Sequence, residues 1–583
     1  MHNNKLPFLG ALLLVISGLE KGGYALVAPS SLRHHHRSIG TFINPAASPT
    51  FHYLNNDIIQ HNEFNKRQSD KLFLRPTHAN RKNVVLRSSL SSDAESVTTH
   101  QDAAEAPASI TMLIGVASAL VGYFYCKCLK IGVNLLWKKF PSSKFSNAIP
   151  ASRHILFTMT LGGAIVATLG TLFFPTLFSA HDYVHILSKE DDNDDAETNK
   201  MDKFPGVKCM IPLLGLSMIT SISGFSLGPE APMVGAGSLV GVNLGRKFIK
   251  SKQESGINTD KLEETFAYAG AAGSLTGALN FPLAGPIFAL ECTSRRVGLA
   301  GPAGKNWGTA MLASFAGMAA IRGLLCPSAH VAGHFTYSAK AAVGVLHSGE
   351  MVLAGLGMGV CGAVAGTCFH KAVTFLKDAI WSKNKSSSRA VVIGKKVLLA
   401  MLIGYISSLF PQTMFWGEPS MQCQVDGQCT PFSATPHGLP SVMMQAARID
   451  PNEPFASGSA ALQVGMAKFS AIALATAAKF PGGVIFPLLS NGASLGHALI
   501  AALAPIMPVS SSSLLPPMMI MGFMGALLTS ITRTPLASVL ILALTASGMT
   551  PLSVLLPGAL MASYVSVWVS ELLSKDSFFS YSD

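Results

Sequence analysis

Three stretches of this sequence place ionisable or anion-attracting groups where the backbone must break. The first is Ser223-Gly-Phe-Ser-Leu-Gly-Pro-Glu-Ala-Pro232. Its glycines allow turns that expose consecutive N–H groups, and an apolar pattern follows at once. A helix N-terminus attracts anions, because its first N–H groups lack acceptors and its dipole is positive there. Glu230 stands at that mouth, with Gly228 beside it. A carboxylate there occupies the site as a tethered anion, and protonation releases it, which makes Glu230 the candidate gate. The plainer reading is a carboxylate that stabilises a helix start.

The second stretch is Lys479-Phe-Pro-Gly-Gly-Val-Ile-Phe-Pro487. Gly482 and Gly483 let the chain turn, and the N–H groups of Val484 and Ile485 can then point at one ion. No side-chain charge is supplied, which suits an anion that must bind and also leave. A simple Pro/Gly helix break explains the same residues. The third stretch runs from Ala271 to Glu291 through Asn280-Phe-Pro-Leu-Ala-Gly285. Its small residues allow close helix packing. Glu291 ends an apolar run, and an ionisable residue at membrane depth is a functional candidate. The alternative is an interfacial carboxylate paired with Arg295 one turn on.

The elements that carry these groups read as membrane helices. The chain has 583 residues, 49% hydrophobic and only 13% charged, against about 25% charged in soluble domains. Twelve apolar segments run near 109–132, 153–178, 207–224, 231–249, 266–292, 306–325, 350–376, 391–410, 458–478, 484–504, 517–547 and 552–573. Pro232, Pro282, Pro487 and Pro535 interrupt several of them. Broken helices at membrane depth are tolerated only where they are buried in protein or line a cavity. Residues 189–203 read as an acidic solvated loop and 411–457 as a long connection.

The two halves repeat. Pro232-x4-Gly237-x3-Gly241 matches Pro487-x4-Gly492-x3-Gly496, and Pro282-Leu-Ala matches Pro535-Leu-Ala downstream. Repeats built on broken helices place an ion site at their interface. The halves span about 109–300 and 350–573, within a transmembrane domain of 93–583.

Of the +12 formal charge, +7 falls in residues 1–92, where 11 Lys/Arg meet four acids. The remainder gives no case for nucleic-acid binding. Lys5 precedes a short apolar run, Leu6 to Ile16, and an acid-poor Arg/His/Asn/Ser stretch follows. That is the pattern of a signal peptide followed by a transit-like segment. It resembles the bipartite plastid presequences of algae with complex plastids, with Val27 where a Phe is typical. The resemblance implies a removed presequence and a plastid membrane, thylakoid or envelope; a plain secretory signal would imply a secretory-pathway membrane. Nine cysteines are scattered, with no zinc spacing, and no metal or cofactor is expected. Cys423 and Cys429 share one polar loop as a disulfide or as free thiols.

Taken together, the motifs resemble the CLC chloride channel/transporter family. Gly228 to Pro232 resembles its Gly-x-Glu-Gly-Pro region, Asn280 to Gly285 its Asn-x-Pro-Leu-Ala-Gly helix, 480–496 its Gly-x-Phe-x-Pro region and Arg533 to Leu536 its Arg-x-Pro-Leu segment. The resemblance implies an all-α integral membrane protein with an internally duplicated antiparallel fold of broken and half-spanning helices. It also implies a homodimer in the bilayer with one anion pathway per subunit. Glu230 falls on the gating glutamate and the Val484 and Ile485 amides on the central anion site. The late tyrosine of that site falls on Phe578, with Tyr581 close by.

Three departures stand out. The family's Gly-Ser-Gly-Ile-Pro motif, whose serine contacts the inner anion, is not found, and 175–206 reads as an acidic insertion instead. That leaves chloride against nitrate open. Exchangers end the Pro-Leu-Ala-Gly helix with two glutamates, the second carrying protons; here Glu291 falls on the first and Cys292 on the second. An ordinary thiol, with a pKa near 8.5, is a poor proton shuttle near neutral pH. The expectation is therefore a passive anion channel gated by Glu230, with a proton-coupled chloride or nitrate exchanger as the alternative. An intramembrane enzyme fits less well, because His154, His370 and His497 lack catalytic or metal spacing, and a non-conducting scaffold fits less well, because the anion-site glycines are intact. The last apolar segment lies close to Asp583, and no C-terminal regulatory domain is expected.

Overall fold

The computed structural model describes residues 106–140, 150–175, 177–188, 204–250, 259–294, 302–325, 348–381, 388–417, 457–506, 515–545, 552–574 and 578. Residues 1–92, the acidic run 189–203, Arg295, Tyr581, and the Cys423 and Cys429 loop lie outside them. The first half contributes α1 (Ala108–Asn134), α2 (Ala151–Phe173), α3 (Ala180–Ser188), α4 (Met210–Ile222), α5 (Glu230–Lys250), α6 (Thr259–Leu279), α7 (Ala284–Glu291) and α8 (Trp307–Ala320). The second half contributes α9 (Ser348–Ile380), α10 (Arg389–Leu409), α11 (Gly458–Ala477), α12 (Ile485–Leu503), α13 (Leu515–Thr532), α14 (Pro535–Thr545) and α15 (Leu552–Leu573).

Apolar side chains sit on both sides of this bundle. Eight helices among the described residues are long and apolar enough to cross a membrane. Phe157, Leu353 and Trp568 point outward, 66%, 72% and 71% exposed. Water would penalise such a surface, whereas hydrocarbon accepts it, provided the backbone satisfies its own hydrogen bonds. The shorter helices obey the complementary rule. α7 has 8 residues and α14 has 11, against roughly 20 for a full span, and every residue of α7 is buried.

The duplication extends to backbone conformation. The apolar runs 266–292 and 517–547 each break, into α6 and α7 and into α13 and α14. At both breaks the residue two before the proline takes a left-handed conformation: Asn280 at φ 61° and Arg533 at φ 60°. Eight residues before Pro232 and Pro487, Gly224 and Lys479 do the same, at φ 96° and 57°. A left-handed residue ends a helix by turning its last carbonyls inward, so one turn geometry recurs in both halves. The matched glycines also share a task. A Cβ on Gly241 would strike the Phe266 carbonyl of α6, and one on Gly492 would lie 2.9 Å from the Met524 Cα of α13. Each half thus lays the helix that follows its first break, α5 or α12, directly against the next helix.

The breaks bring the halves together at one point. Gly228 and Gly483 exchange two backbone hydrogen bonds, Gly228 N–H to Gly483 O at 2.7 Å and Gly483 N–H to Gly228 O at 2.6 Å. Phe225 packs on Phe480 with ring centroids 4.8 Å apart. The loops before α5 and α12 are therefore locked to each other, and both helices start at this crossing.

Close α5–α6 packing gives a test. Gly241→Val must push α5 away from the Phe266 carbonyl, and overpacking of this kind costs about 1–3 kcal/mol. Thermal unfolding of the detergent-purified variant should fall clearly below wild type, whereas a silent change at Gly349, which has open space around it, should leave it in place.

Candidate functional site

The crossing of the two loops holds Glu230. The side chain is fully buried and fills the slot between Gly228 and Gly483, so that a Cβ on either glycine would collide with its carboxylate. Glu230 Oε1 accepts the N–H of Phe486 at 3.3 Å, in the first turn of α12. Oε2 is buried with no hydrogen-bond partner. The carboxylate of the first half therefore sits on the N-terminus of the second half's helix, where a small anion would find the same donors.

Gly482, Gly483, Val484 and Ile485 line a cavity of about 850 Å³ beside this crossing. Ala231 and Pro232 reach it from α5, and Phe578 lies on its wall. The sequence reading counts Gly228 and Gly483 among the anion-binding residues. In the structure their N–H groups are spent on each other's carbonyl oxygens, so they clamp the loops rather than donate outward. Val484 precedes α12 and Ile485 opens it; their amides belong to the set that an α-helix cannot satisfy internally.

Ser179 and Asp182 line the same cavity. Sequence reasoning set this stretch aside as part of an acidic insertion; instead Ala180–Ser188 is a helix whose start faces the cavity. The signal was present. Ser179-Ala-His-Asp182 has the Ser-x-x-acid spacing of a capping box, and the bonds form: Ser179 N–H and Oγ–H both donate to Asp182 Oδ2 at 2.7 Å. Lys377, Lys396 and Lys479 add three cationic side chains to the lining.

Glu291 and Cys292 lie elsewhere. Glu291 is 2% exposed and points across the half-boundary to α14, whose Leu536 and Ala537 N–H groups donate to its two oxygens at 3.1 and 2.7 Å. This is a helix cap, not an interfacial carboxylate. Cys292 is buried, and its thiol donates to the Ala289 carbonyl at 3.4 Å. The Tyr183 hydroxyl donates to that same carbonyl at 3.1 Å, and Tyr268 bonds Thr293 at 2.9 Å. Among the described residues no group of three or more His, Cys, Asp or Glu could hold a metal ion.

Comparison with known proteins agrees with this architecture. The sequence model of the voltage gated chloride channel family matches residues 198–571. A ClcB-like chloride channel protein of Ralstonia nicotianae is 26% identical over 337 residues, 56% of this chain and 64% of that protein, so the match spans under two thirds of the relative. Among solved structures, a slow cyanobacterial Cl⁻/H⁺ antiporter superposes with a TM-score of 0.60 at 15% identity, over 82% of this chain and 97% of that one. A CLC-type fluoride/proton antiporter gives 0.53 at 16% identity, over 81% and 96%. A eukaryotic CLC transporter gives 0.55 at 14%, over 81% and 72%. At these identities the superpositions speak for the fold.

The role of Glu291 is testable by stability. Glu291→Ala strands one buried and one half-buried N–H group on α14, the buried one costing about 1–3 kcal/mol. Glu291→Gln keeps one acceptor and should lose less. Equal losses in thermal unfolding, or none, would contradict the capping role.

Proposed function

The chain belongs to the voltage gated chloride channel family and has the fold and membrane helices of CLC transporters, and from that premise we propose that it exchanges a small anion against protons, with Glu230 as the gate. One observation carries this reading. A fully buried carboxylate rests on the α12 N-terminus with one oxygen on the Phe486 amide and the other without a partner. Ionised, it occupies donors that the anion needs. The unpartnered oxygen is where a proton attaches, and the neutral acid then holds the helix N-terminus less strongly. Anion and proton thus compete for one position, which is the minimum requirement for coupling them. The two superposed antiporters, one of chloride and one of fluoride, support exchange over the passive channel expected from the sequence.

A specific observation keeps the channel as the second reading. Cys292 stands where the resemblance puts a proton-carrying glutamate, and its thiol is turned to the Ala289 carbonyl. Glu291 is adjacent but committed to α14. A relay that avoids both must reach Glu230 by water or by another side chain.

The experiment is chloride flux into sealed liposomes with simultaneous pH recording. A chloride gradient should drive uphill, ionophore-sensitive proton movement through wild type, and transport should rise as pH falls, because protonation releases the gate. Glu230→Gln, which imitates the protonated acid, should carry chloride without proton movement or pH dependence. Chloride flux without proton movement in wild type would establish the channel instead, and unchanged pH dependence in Glu230→Gln would remove Glu230 as the gate.

The proposal includes a homodimer with one pathway in each subunit, and a plastid membrane as its address. The first rests on the family resemblance and the second on the acid-poor composition of residues 1–92. A fluorescent protein fused after residue 100 should reach the plastid in a host with complex plastids; secreted or cytosolic signal would rule the address out.

A further inference from the structure

The two breaks that carry the Pro-Leu-Ala motif share a backbone turn but not a side chain. Asn280 makes the turn in the first half, at φ 61°, and Arg533 makes it in the second, at φ 60°. Asparagine is among the few residues that tolerate the left-handed region well, and arginine is not. The turn itself therefore does not call for an arginine, and that long cationic side chain needs another task.

Its hydrogen bonds show where it goes. Arg533 Nη2 donates to the Ser574 carbonyl at 2.9 Å and Nη1 to the Val567 carbonyl at 3.5 Å. Val567 lies in the last turns of α15, and Ser574 follows its end. Nη1 also pairs with Glu571 at 3.4 Å, but the Glu571 side chain is 49% exposed, so that pair contributes little. Two residues before Arg533, the Ile531 carbonyl accepts the N–H of Phe578 at 3.4 Å. The α13–α14 break thus grips the chain at Ser574 and again at Phe578, and Phe578 lies on the wall of the cavity that Val484 and Ile485 line.

We infer that Arg533 is a positioning residue for anion binding: it anchors Ser574 to the α13–α14 break and so fixes the place of the Phe578 ring on the cavity wall. This rests on the transport reading above and extends it to a residue outside the cavity lining.

Placement matters for a phenylalanine because it has no polar atom to offer an anion. What it offers is a quadrupole, positive at the ring edge and negative on the face. A ring turned edge-on attracts an anion, and the same ring turned face-on repels it. Orientation decides the sign of its contribution, so the anchor that holds the preceding segment decides it too. The guanidinium suits that task, because its donors sit in a rigid fork that spans two carbonyls at once.

A helix cap that only stabilises α15 would make the same bonds, so the test separates the two roles. Chloride binding to the purified full chain would be measured by titration calorimetry for wild type, Arg533→Asn, Phe578→Ala and the double variant. Asparagine keeps the turn, as Asn280 does in the first half, and is too short to replace the guanidinium. Arg533→Asn should weaken chloride binding about tenfold, a size within reach of residues that act on a site without touching its ligand. The double variant should bind no worse than Phe578→Ala alone, because the anchor then has no ring to place. Arg533→Lys keeps the charge and can reach one carbonyl, so its loss should be smaller; it takes the place of asparagine in the cycle if that variant does not fold. Unchanged affinity in the folded Arg533 variant, or an equal loss in the Phe578→Ala background, overturns the inference while leaving the transport reading in place. Wild type that neither binds nor transports chloride overturns the transport reading itself, and this inference with it.

Discussion

Helices that begin in the middle of a membrane protein leave N–H groups with no water to bond, and each group must be given an acceptor or it costs several kcal/mol. The described core is organised around how three such starts are satisfied. α14 is closed by Glu291, both of whose oxygens are used. α3 is closed by its own Asp182 through Ser179. α12 is closed only in part, by one oxygen of Glu230 on the Phe486 amide. The proposed difference between a cap and a gate lies in that accounting. A carboxylate with both oxygens engaged is structure; one held by a single 3.3 Å bond, with its second oxygen unpartnered, can be displaced by a free anion or neutralised by a proton.

The rest of the fold makes that partial closure possible. Glu230 can reach α12 only because the loops before α5 and α12 exchange hydrogen bonds through Gly228 and Gly483. Those loops have matching shapes because the left-handed turns at Gly224 and Lys479 recur at the same distance from their prolines. α5 and α12 are in turn held by glycine contacts with α6 and α13. Every step pairs an element of one half with its equivalent in the other, so the candidate site is a product of the duplication rather than of either half alone.

Much of this was legible in the sequence. The low charge, the proline breaks and the doubled Pro-x4-Gly-x3-Gly pattern announce broken membrane helices in two copies, and Glu230 stands at a recognisable helix start. Tertiary relations were less visible. Local spacing pairs Glu291 with Arg295 one turn on, yet its acceptor oxygens serve N–H groups 245 and 246 residues away. Gly228 and Gly483 have the composition of anion-binding loops, but only the fold shows that their amides are spent on each other. Ser179 and Asp182 were hidden for another reason: the acidic run 189–203 dominates the composition of that region and masks a capping box a few residues upstream. The replacement at Cys292 was plain in the sequence, but a side chain's identity does not say which route a proton takes.

The account turns on Glu230 occupying, as a tethered anion, donors that a free anion would otherwise bind. Bromide, whose anomalous scattering identifies it directly, can replace chloride in crystals of wild type and of Glu230→Gln. The account predicts a bromide peak within hydrogen-bond distance of the Phe486 amide in Glu230→Gln, and the Glu230 carboxylate at that position in wild type. A bromide bound to the Phe486 amide in wild type with the carboxylate still seated there, or no bromide at the α12 N-terminus in either protein, would contradict it.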